Sequence, residues 1–423
     1  MAQRGIREVD AKLLMARFLP EYGAGRFTVP DRVALVTPDT DRASLPHRHP
    51  WLLQDRLVVK PDQLFGKRGK HNLIALDMPY QEAFAWIDER MNRRVTIGRV
   101  EGRLTHFLVE PFVPHFGEHY LAFKAERDGD TAYFSMHGGI AIEERWHSVR
   151  SLTVPVETPA AQADLTPLLV DAPDEDVDRF AAFAHALYRF YVDLGFSYLE
   201  LNPFVVAGTD ILPLDVVARL DDAEQFQQME RWSGLEFPAP FGRELTREEA
   251  FIQALDEKTG ASLKLTVLNP RGRVWTMIAG GGASVIYADT VVDLGFGAEL
   301  ANYGEYSGDP NTQDTYLYAR TILDMMTREP DPRGKYLLIG GGIANFTDVA
   351  STFTGIIQAI EEYQERLRDQ NVSIFVRRGG PNYKIGLENM RKIGQTTGVA
   401  MDVYGPETHM TEIVSLALTG SAS

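Results

Sequence analysis

The sequence predicts an α/β chain of two domains, an α+β half over residues 1–240 and a doubly wound parallel sheet over 241–423. Three observations predict it. The 423 residues exceed the roughly 100 to 200 that one domain usually holds. The stretch WSGLEFPAPFGRELTREEA, 232–250, sets Pro238 and Pro240 between two differently patterned halves and reads as a linker. Beyond it, short apolar runs alternate with helix-period segments, the pattern of a parallel sheet covered by helices.

Composition narrows the function. Hydrophobic residues make up 44% and charged residues 24%, which is enough apolar material to bury real cores. The 43 basic residues are outnumbered by 59 acidic ones, for a formal charge of −16. The basic residues are scattered except at 66–70, so a broad nucleic-acid footprint is not expected and any anion must be caught locally. There is no cysteine, which excludes disulfides, thiol catalysis and cysteine-held metal and favours a cytoplasmic location. The opening MAQRGIREVDAKLLMARFL is mixed in charge and lacks an apolar signal core, and no run of about 18 apolar residues predicts a membrane span.

In the first half, RLVVKPD, THFLVEPFVP and FSYLELNPFVV read as strands punctuated by Pro and Gly. LVVKPDQLFGKRGK puts Lys60 at a strand end and gathers Lys67, Arg68 and Lys70 around Gly66 and Gly69. That is the make-up of a flexible polyphosphate cover, or of a plain solvated basic loop. VEPFVP is extended but broken by Pro111 and Pro114, so nearby backbone groups lack ladder partners and could read a base edge. In YLELNPFVVAGTDILPLDVV, a turn centred on Gly208 and Thr209 sets Asn202 opposite Asp215, with Glu200 on the same face. Directly opposed side chains stand about 4.5 to 5.5 Å apart at Cβ. An amide oxygen and a carboxylate so placed can share a hard cation such as Mg²⁺, or form an ordinary polar pair on an exposed face.

In the second half the predicted order is strand VWTMIA and helix SVIYADTVVDLG, strand YLLIG and helix DVASTFTGIIQAIEEYQERL, strand VSIFV and helix YKIGLENMRKIGQTTG, strand AMDVYG and helix ETHMTEIVSLAL. Ligands of such sheets bind at the carboxyl ends of the strands. There the chain carries Gly280-Gly281-Gly282, Gly340 through Thr347, Arg377 through Asn382, and Gly405-Pro406-Glu407-Thr408. In LLIGGGIANFTDVAST the glycines let backbone amides approach an anion and a helix N-terminus follows. The plainer reading is a tight turn with Asn345 or Thr347 capping the helix. Arg377 and Arg378 end the next strand and can clamp a carboxylate, so the set points to a polycarboxylate or acyl phosphate. ANYGEYSGDP, 301–310, is expected as an irregular loop in which Glu305, Ser307 and Gly308 reach the same edge. The ten histidines show no metal spacing, and His409 reads as structural.

These segments, with EFPAPFGR, DEKTGASLKLTVLNPRGRVW, ELANYGEYSG and YGPETHMT, closely resemble ATP-citrate lyase: the amino-terminal part of the animal enzyme and the separate shorter subunit of the plant and bacterial two-subunit type. More distantly the chain resembles the β subunit of succinyl-CoA synthetase. The resemblance implies an ATP-grasp domain followed by a succinyl-CoA-synthetase-like citrate-binding domain. It implies that Lys60, Arg68 and Gly69 hold ATP phosphates, that Glu110, Pro111 and Val113 line the adenine and ribose site with Glu118 nearby, and that Asn202 and Asp215 hold Mg²⁺. Gly308, Asn345, Thr347 and Arg378 are then expected to bind citrate, with Phe346 beside it and Tyr363 as a further contact. The chain has no loop like the family's phosphohistidine segment and no citrate-synthase-like region. The resemblance therefore implies a hetero-oligomer with a partner that supplies both and binds CoA. Two other readings stay open: the large subunit of a citryl-CoA synthetase, and a non-catalytic citrate or nucleotide sensor.

Overall fold

In the computed structural model, which describes residues 3–207 and 210–420, the chain divides into two units, the first ending at Glu244 and the second starting at Leu245. The first is built on an antiparallel sheet. Its strands run in the order Gln3–Ile6, Val216–Asp221, Phe196–Ala207, His119–Ala125, Gly129–Ser135 and Arg150–Pro155, with Asp210–Pro213 paired to Phe196–Ala207. Along Phe196–Ala207, Leu199 and Leu201 are buried while Tyr198, Glu200 and Asn202 are only partly covered, the alternation of a strand with one face in the core. The helices Glu8–Tyr22 and Asp174–Asp193 cover that core with Leu14, Met15, Leu19, Phe183 and Phe190. A second antiparallel sheet joins Ala34–Val36, Phe107–Pro111, Leu57–Pro61 and Ala75–Met78.

The predicted turn residues Gly208 and Thr209 lie outside the described residues. On either side of them Ala207 pairs with Asp210, Phe204 with Pro213 and Leu201 with Val216, the register that places Asn202 opposite Asp215. The Asn202 N–H donates to the Asp215 carbonyl at 2.9 Å.

The second unit holds a wholly parallel sheet in the order Val274–Ala279, Lys335–Gly341, Val372–Arg377 and Ala400–Tyr404. Its strands are apolar on both sides because helices cover both faces. Gly281–Asp293 and Glu412–Thr419 pack one face through Tyr287, Val291, Ile413 and Val414. Thr312–Met326, Val349–Asp369 and Tyr383–Thr397 pack the other through Ile322, Phe353, Ile356 and Met390.

Three details depart from the sequence reading. The expected loop at 301–310 is largely a strand, Asn302–Ser307, antiparallel to Ser262–Val267. Its alternate positions Asn302, Gly304 and Tyr306 are buried, a period that a polar and a glycine residue disguise. The Asn302 amide accepts from the Thr276 N–H at 2.8 Å and donates to the Thr276 carbonyl at 2.9 Å, which stitches this strand to the parallel sheet. The helix Thr312–Met326, capped by Asn311, was not anticipated. The final helix starts at Glu412, because 405–411 forms a turn in which the Glu407 carboxylate accepts from the Gly405 N–H at 3.0 Å. Within 232–250, the Trp232 indole N–H donates to the Leu194 carbonyl at 3.0 Å, and Thr246 with Glu249 forms a capping box that starts a helix at Arg247. Among the described residues no helix is long and apolar enough to cross a membrane.

Candidate functional sites

The first unit contains a cleft of about 1420 Å³ whose lining includes Lys60, Arg68, Gly69, Glu110, Pro111, Val113, Glu118, Asn202 and Asp215. At its base lies a cluster of buried charges. Lys60 approaches Glu8 Oε1 at 2.7 Å and Glu110 Oε1 at 3.2 Å. Lys12 reaches Glu8 Oε1 at 2.8 Å and Glu110 Oε2 at 2.6 Å. Arg68 meets Glu8 Oε2 at 2.8 Å, pairs with Asp215, and donates to the Pro61 carbonyl at 2.8 Å. Burial alone would raise the Glu8 pKa, but Lys12, Lys60 and Arg68 hold its carboxyl well below the usual range. Burial likewise opposes the charge on Lys60, and Glu110, Glu8 and Asp215 overcome it. Asp215 is partly buried, and the lost solvent pushes it up to about 6 against the pull of Arg68.

Glu8 and Lys12 escaped the sequence reading because they look like an exposed i,i+4 pair. The signal was there: 8, 12, 15 and 19 form one helical stripe, and Met15 and Leu19 are core residues. The Glu110 side chain is committed to Lys12 and Lys60, so only its backbone is left to meet a base. The Asp62 carboxylate, also unread, accepts from the N–H groups of Glu8 and Val9 at 2.8 and 3.0 Å and so fixes the start of the helix that carries Glu8.

Two glycine-containing loops border the cleft. Lys67 and Lys70 both reach Glu143, at 3.0 and 3.1 Å, which links the basic loop to the segment after Gly138 and Gly139. The Gly139 N–H donates to Asn202 Oδ1 at 2.8 Å, and its φ of +88° keeps this position for glycine. His115 donates from Nδ1 to the Val113 carbonyl at 2.8 Å and lies 3.3 Å from Glu118 Oε1. Among the described residues no group of three His, Asp or Glu side chains is placed to hold a metal ion. Asn202 and Asp215 offer a pair of hard oxygens, a set that a nucleotide's phosphates can complete.

The second site is the carboxyl rim of the parallel sheet. Arg377 is a strut: it donates to the carbonyls of Thr408, Gly341 and Pro406 at 2.9, 3.0 and 3.2 Å. Arg378 is different. It is 5% exposed, donates from Nη1 to the Gly342 carbonyl at 2.7 Å, and leaves Nε without a partner. Burial pushes its pKa below the ordinary arginine value, and no carboxylate counters it. The buried hydroxyls of Tyr287 and Tyr306, the residues whose charge influence it feels, also lack hydrogen-bond partners.

The glycines here make room. A Cβ on Gly340 would lie 2.5 Å from the Tyr287 hydroxyl, and one on Gly341 would lie 2.6 Å from Arg378 Nη1. The Ala344 N–H donates to the Gly379 carbonyl at 2.9 Å, which lays the 341–344 turn along the segment after Arg378. Neither Asn345 nor Thr347 caps the helix Val349–Asp369. Asp348 does, accepting from the Ser351 N–H at 3.0 Å, while Val349 donates to the Pro381 carbonyl at 3.1 Å. The helix end is thus capped by its own carboxylate, which corrects the plainer expectation that Asn345 or Thr347 caps it. What is left over is the N–H groups of Asn345, Phe346 and Thr347, which find no acceptor among the described residues, with the uncommitted side chains of Asn345 and Thr347. Gly308, at φ +73°, follows the strand stitched beside this sheet, and Phe346 is 68% exposed. Tyr363 is not at the rim: it lies 14 residues into its helix, ~21 Å from the first turn. Its stripe faces the core, and its hydroxyl lies 3.4 Å from Asp324. His409 is exposed and contacts Thr411.

Residues 2–232 match the family model of the ATP-citrate synthase ATP-grasp domain, and 243–420 match that of the ATP citrate lyase citrate-binding domain. The chain is 48% identical to an ATP-citrate synthase alpha chain of Oryza sativa subsp. japonica, over 99% of this chain and 98% of that one. It is also 48% identical to the Homo sapiens ATP-citrate synthase, over 99% of this chain but only 38% of that protein. A solved structure of ATP citrate lyase from Methanothrix soehngenii, in complex with citrate and coenzyme A, is 55% identical, with a TM-score of 0.92 over 99% of this chain and 100% of that one. A Methanosaeta concilii ATP citrate lyase in complex with (3S)-citryl-CoA is 53% identical, with a TM-score of 0.89 over 99% of this chain and 100% of that one. With a nucleotide-sized cleft in one unit, an unpaired buried guanidinium in the other, and both domain models matched in order, the chain belongs to the ATP-citrate synthase, or ATP citrate lyase, family.

Proposed function

We propose that the chain is the ATP- and citrate-binding subunit of a two-subunit ATP citrate lyase. One observation carries the citrate half: Arg378 is a buried cation with no acidic partner among the described residues, bonded to Gly342 in the turn that runs on to three unpaired consecutive amides. A buried charge left in that state costs several kcal/mol, and a carboxylate supplies the missing counter-charge and acceptors. Arg378 grips one carboxylate of citrate, and the amides and side chains of Asn345 and Thr347 take another. Gly308 leaves space for the ligand, and Phe346 covers it.

In the cleft, Lys60, Arg68 and the Gly69 amide receive the phosphates of ATP. Pro111, Val113 and the Glu110 backbone line the base, and Glu118 reaches the ribose. Asn202 and Asp215 fit a Mg²⁺ ion by the hardness and closeness of their oxygens; when bound it supplies neutralisation of phosphate charge. The fixed cations of the cleft stabilise charge that develops as the γ-phosphoryl leaves, and the buried cluster holds them so that little reorganisation is needed.

The phosphoryl group passes to a histidine of a partner subunit and then to citrate. Citryl phosphate exchanges phosphate for CoA, and citryl-CoA is cleaved to acetyl-CoA and oxaloacetate. The partner supplies the histidine loop, the citrate-synthase-like cleavage site and most of the CoA contacts. The absence of cysteine supports a cytoplasmic setting for this assembly. Coexpression with the candidate partner tests the reading. Oxaloacetate release that requires ATP, citrate and CoA together is expected, and citryl-CoA accumulating without cleavage would instead mark a citryl-CoA synthetase.

A further inference from the structure

We infer that Arg68 and Asp215 form an exchangeable ion pair, so that the cleft accepts nucleotide and divalent cation together and resists either alone. The inference rests on the nucleotide reading above, and three features of the cleft carry it.

The first is that Nη2 of Arg68, the nitrogen that meets Asp215, is fully committed. Nη1 is held by the Pro61 carbonyl at 2.8 Å, Nη2 is shared by Glu8 and Asp215, and Nε is buried without a partner. A phosphate can gain Nη2 only by displacing one of these carboxylates. The second is that the two carboxylates differ in freedom. Glu8 is 2% exposed, is held also by Lys12 and Lys60, and its own backbone is fixed by Asp62. Asp215 is 32% exposed, lies between the strands Asp210–Pro213 and Val216–Asp221, and borders the cleft. Asp215 is therefore the partner that leaves. The third is what it turns towards: Asn202 lies opposite it on the hairpin, its amide oxygen accepting from Gly139 at 2.8 Å.

Nucleotide without metal must part the pair and leave the Asp215 carboxylate unpaired beside its phosphates. A divalent cation without nucleotide must leave Arg68 half-paired beside a second positive charge. The metal–nucleotide complex replaces both lost partners at once, with phosphate oxygen on Arg68 and metal on Asp215. Coupling of this kind is reciprocal, so each ligand tightens the other by the same factor.

Calorimetry on the full chain tests this, with ATP in EDTA, ATP with Mg²⁺, and Mn²⁺ alone followed by electron paramagnetic resonance. Wild type is expected to bind metal-free ATP more weakly than Mg·ATP by about five- to 150-fold, the ordinary span of ligand coupling, and to bind Mn²⁺ alone poorly. Asp215→Asn is expected to tighten metal-free ATP by at least about fivefold, and that gain should vanish in an Arg68→Gln background. A gain of equal size with and without Arg68 would reduce the effect to simple repulsion and overturn the exchange. So would a structure with Mg·ATP in the cleft and the pair still closed, a readout that needs no variant; a parted pair supports the exchange. Wild type that binds no Mg·ATP would defeat the nucleotide reading itself, a failure distinct from binding with no coupling.

Discussion

At the residue scale, charge placement carries most of the account, and Arg378 is the plainest case. Arg378→Ala removes the buried cation bonded to Gly342 in the turn that leads to the free amides of 345–347, so citrate should bind more weakly by about 1.5 to 3 kcal/mol, the range for hydrogen bonds to charged groups. Arg378→Lys should recover only part of that loss, because an ammonium cannot reproduce the planar fork; titration calorimetry reads both. Asp10 makes a second test, one of stability. Burial pushes its carboxyl up to about 6, with Asp62 and Glu236 adding to the rise and Arg7 opposing it, and Oδ2 has no hydrogen-bond partner. A raised carboxyl favours the protonated native state, so its contribution is present at low pH and lost as pH rises through about 6. Asp10→Asn should therefore raise the melting temperature relative to wild type at pH 8. The difference should fade below about pH 3.9, the value for an unfolded aspartate.

At the element scale, Asn302 shows how a side chain can do the work of a strand. Its amide satisfies both backbone groups of Thr276 and fixes the strand that ends at Ser307, just before Gly308, against the parallel sheet. Asn302→Ala leaves that N–H and carbonyl unpaired in the core, and should cost roughly 2 to 4 kcal/mol in denaturant unfolding. The four parallel strands were legible because their β-branched and aliphatic runs are bounded by glycine and proline. The strand Asn302–Ser307 was not, since its buried positions are an asparagine, a glycine and a tyrosine. Helix ends were the weaker part of the reading: the capping role falls on Asp348, one residue beyond Thr347, and the segment 405–411 forms a turn before the last helix. The hairpin register was readable because strand pairing is a rule of arithmetic once a turn is placed.

At the scale of the whole molecule, the candidate nucleotide cleft lies in the first unit and the candidate citrate rim in the second. Each should therefore bind its ligand on its own terms. Asp215→Asn should leave citrate affinity at the wild-type value, and Arg378→Ala should leave Mg·ATP affinity unchanged, as parallel calorimetric titrations would show. Sequence motifs singled out residues that the structure gathers along the cleft and at the rim, although the same glycine-rich turns and clustered cations also make plain turns and solvated loops. They missed Glu8, Lys12 and Asp62: the stripe 8, 12, 15 and 19 marks a buried helix face, but nothing local names the cations, some 50 to 60 residues later, that meet Glu8 there. They also placed Tyr363 with the ligand, where helix rise carries it away. The most direct measurement is a crystal structure of the chain with citrate. The account predicts one carboxylate on the Arg378 guanidinium and another on the N–H groups of Asn345 to Thr347. Citrate bound elsewhere, with Arg378 still facing only the Gly342 carbonyl, would contradict it.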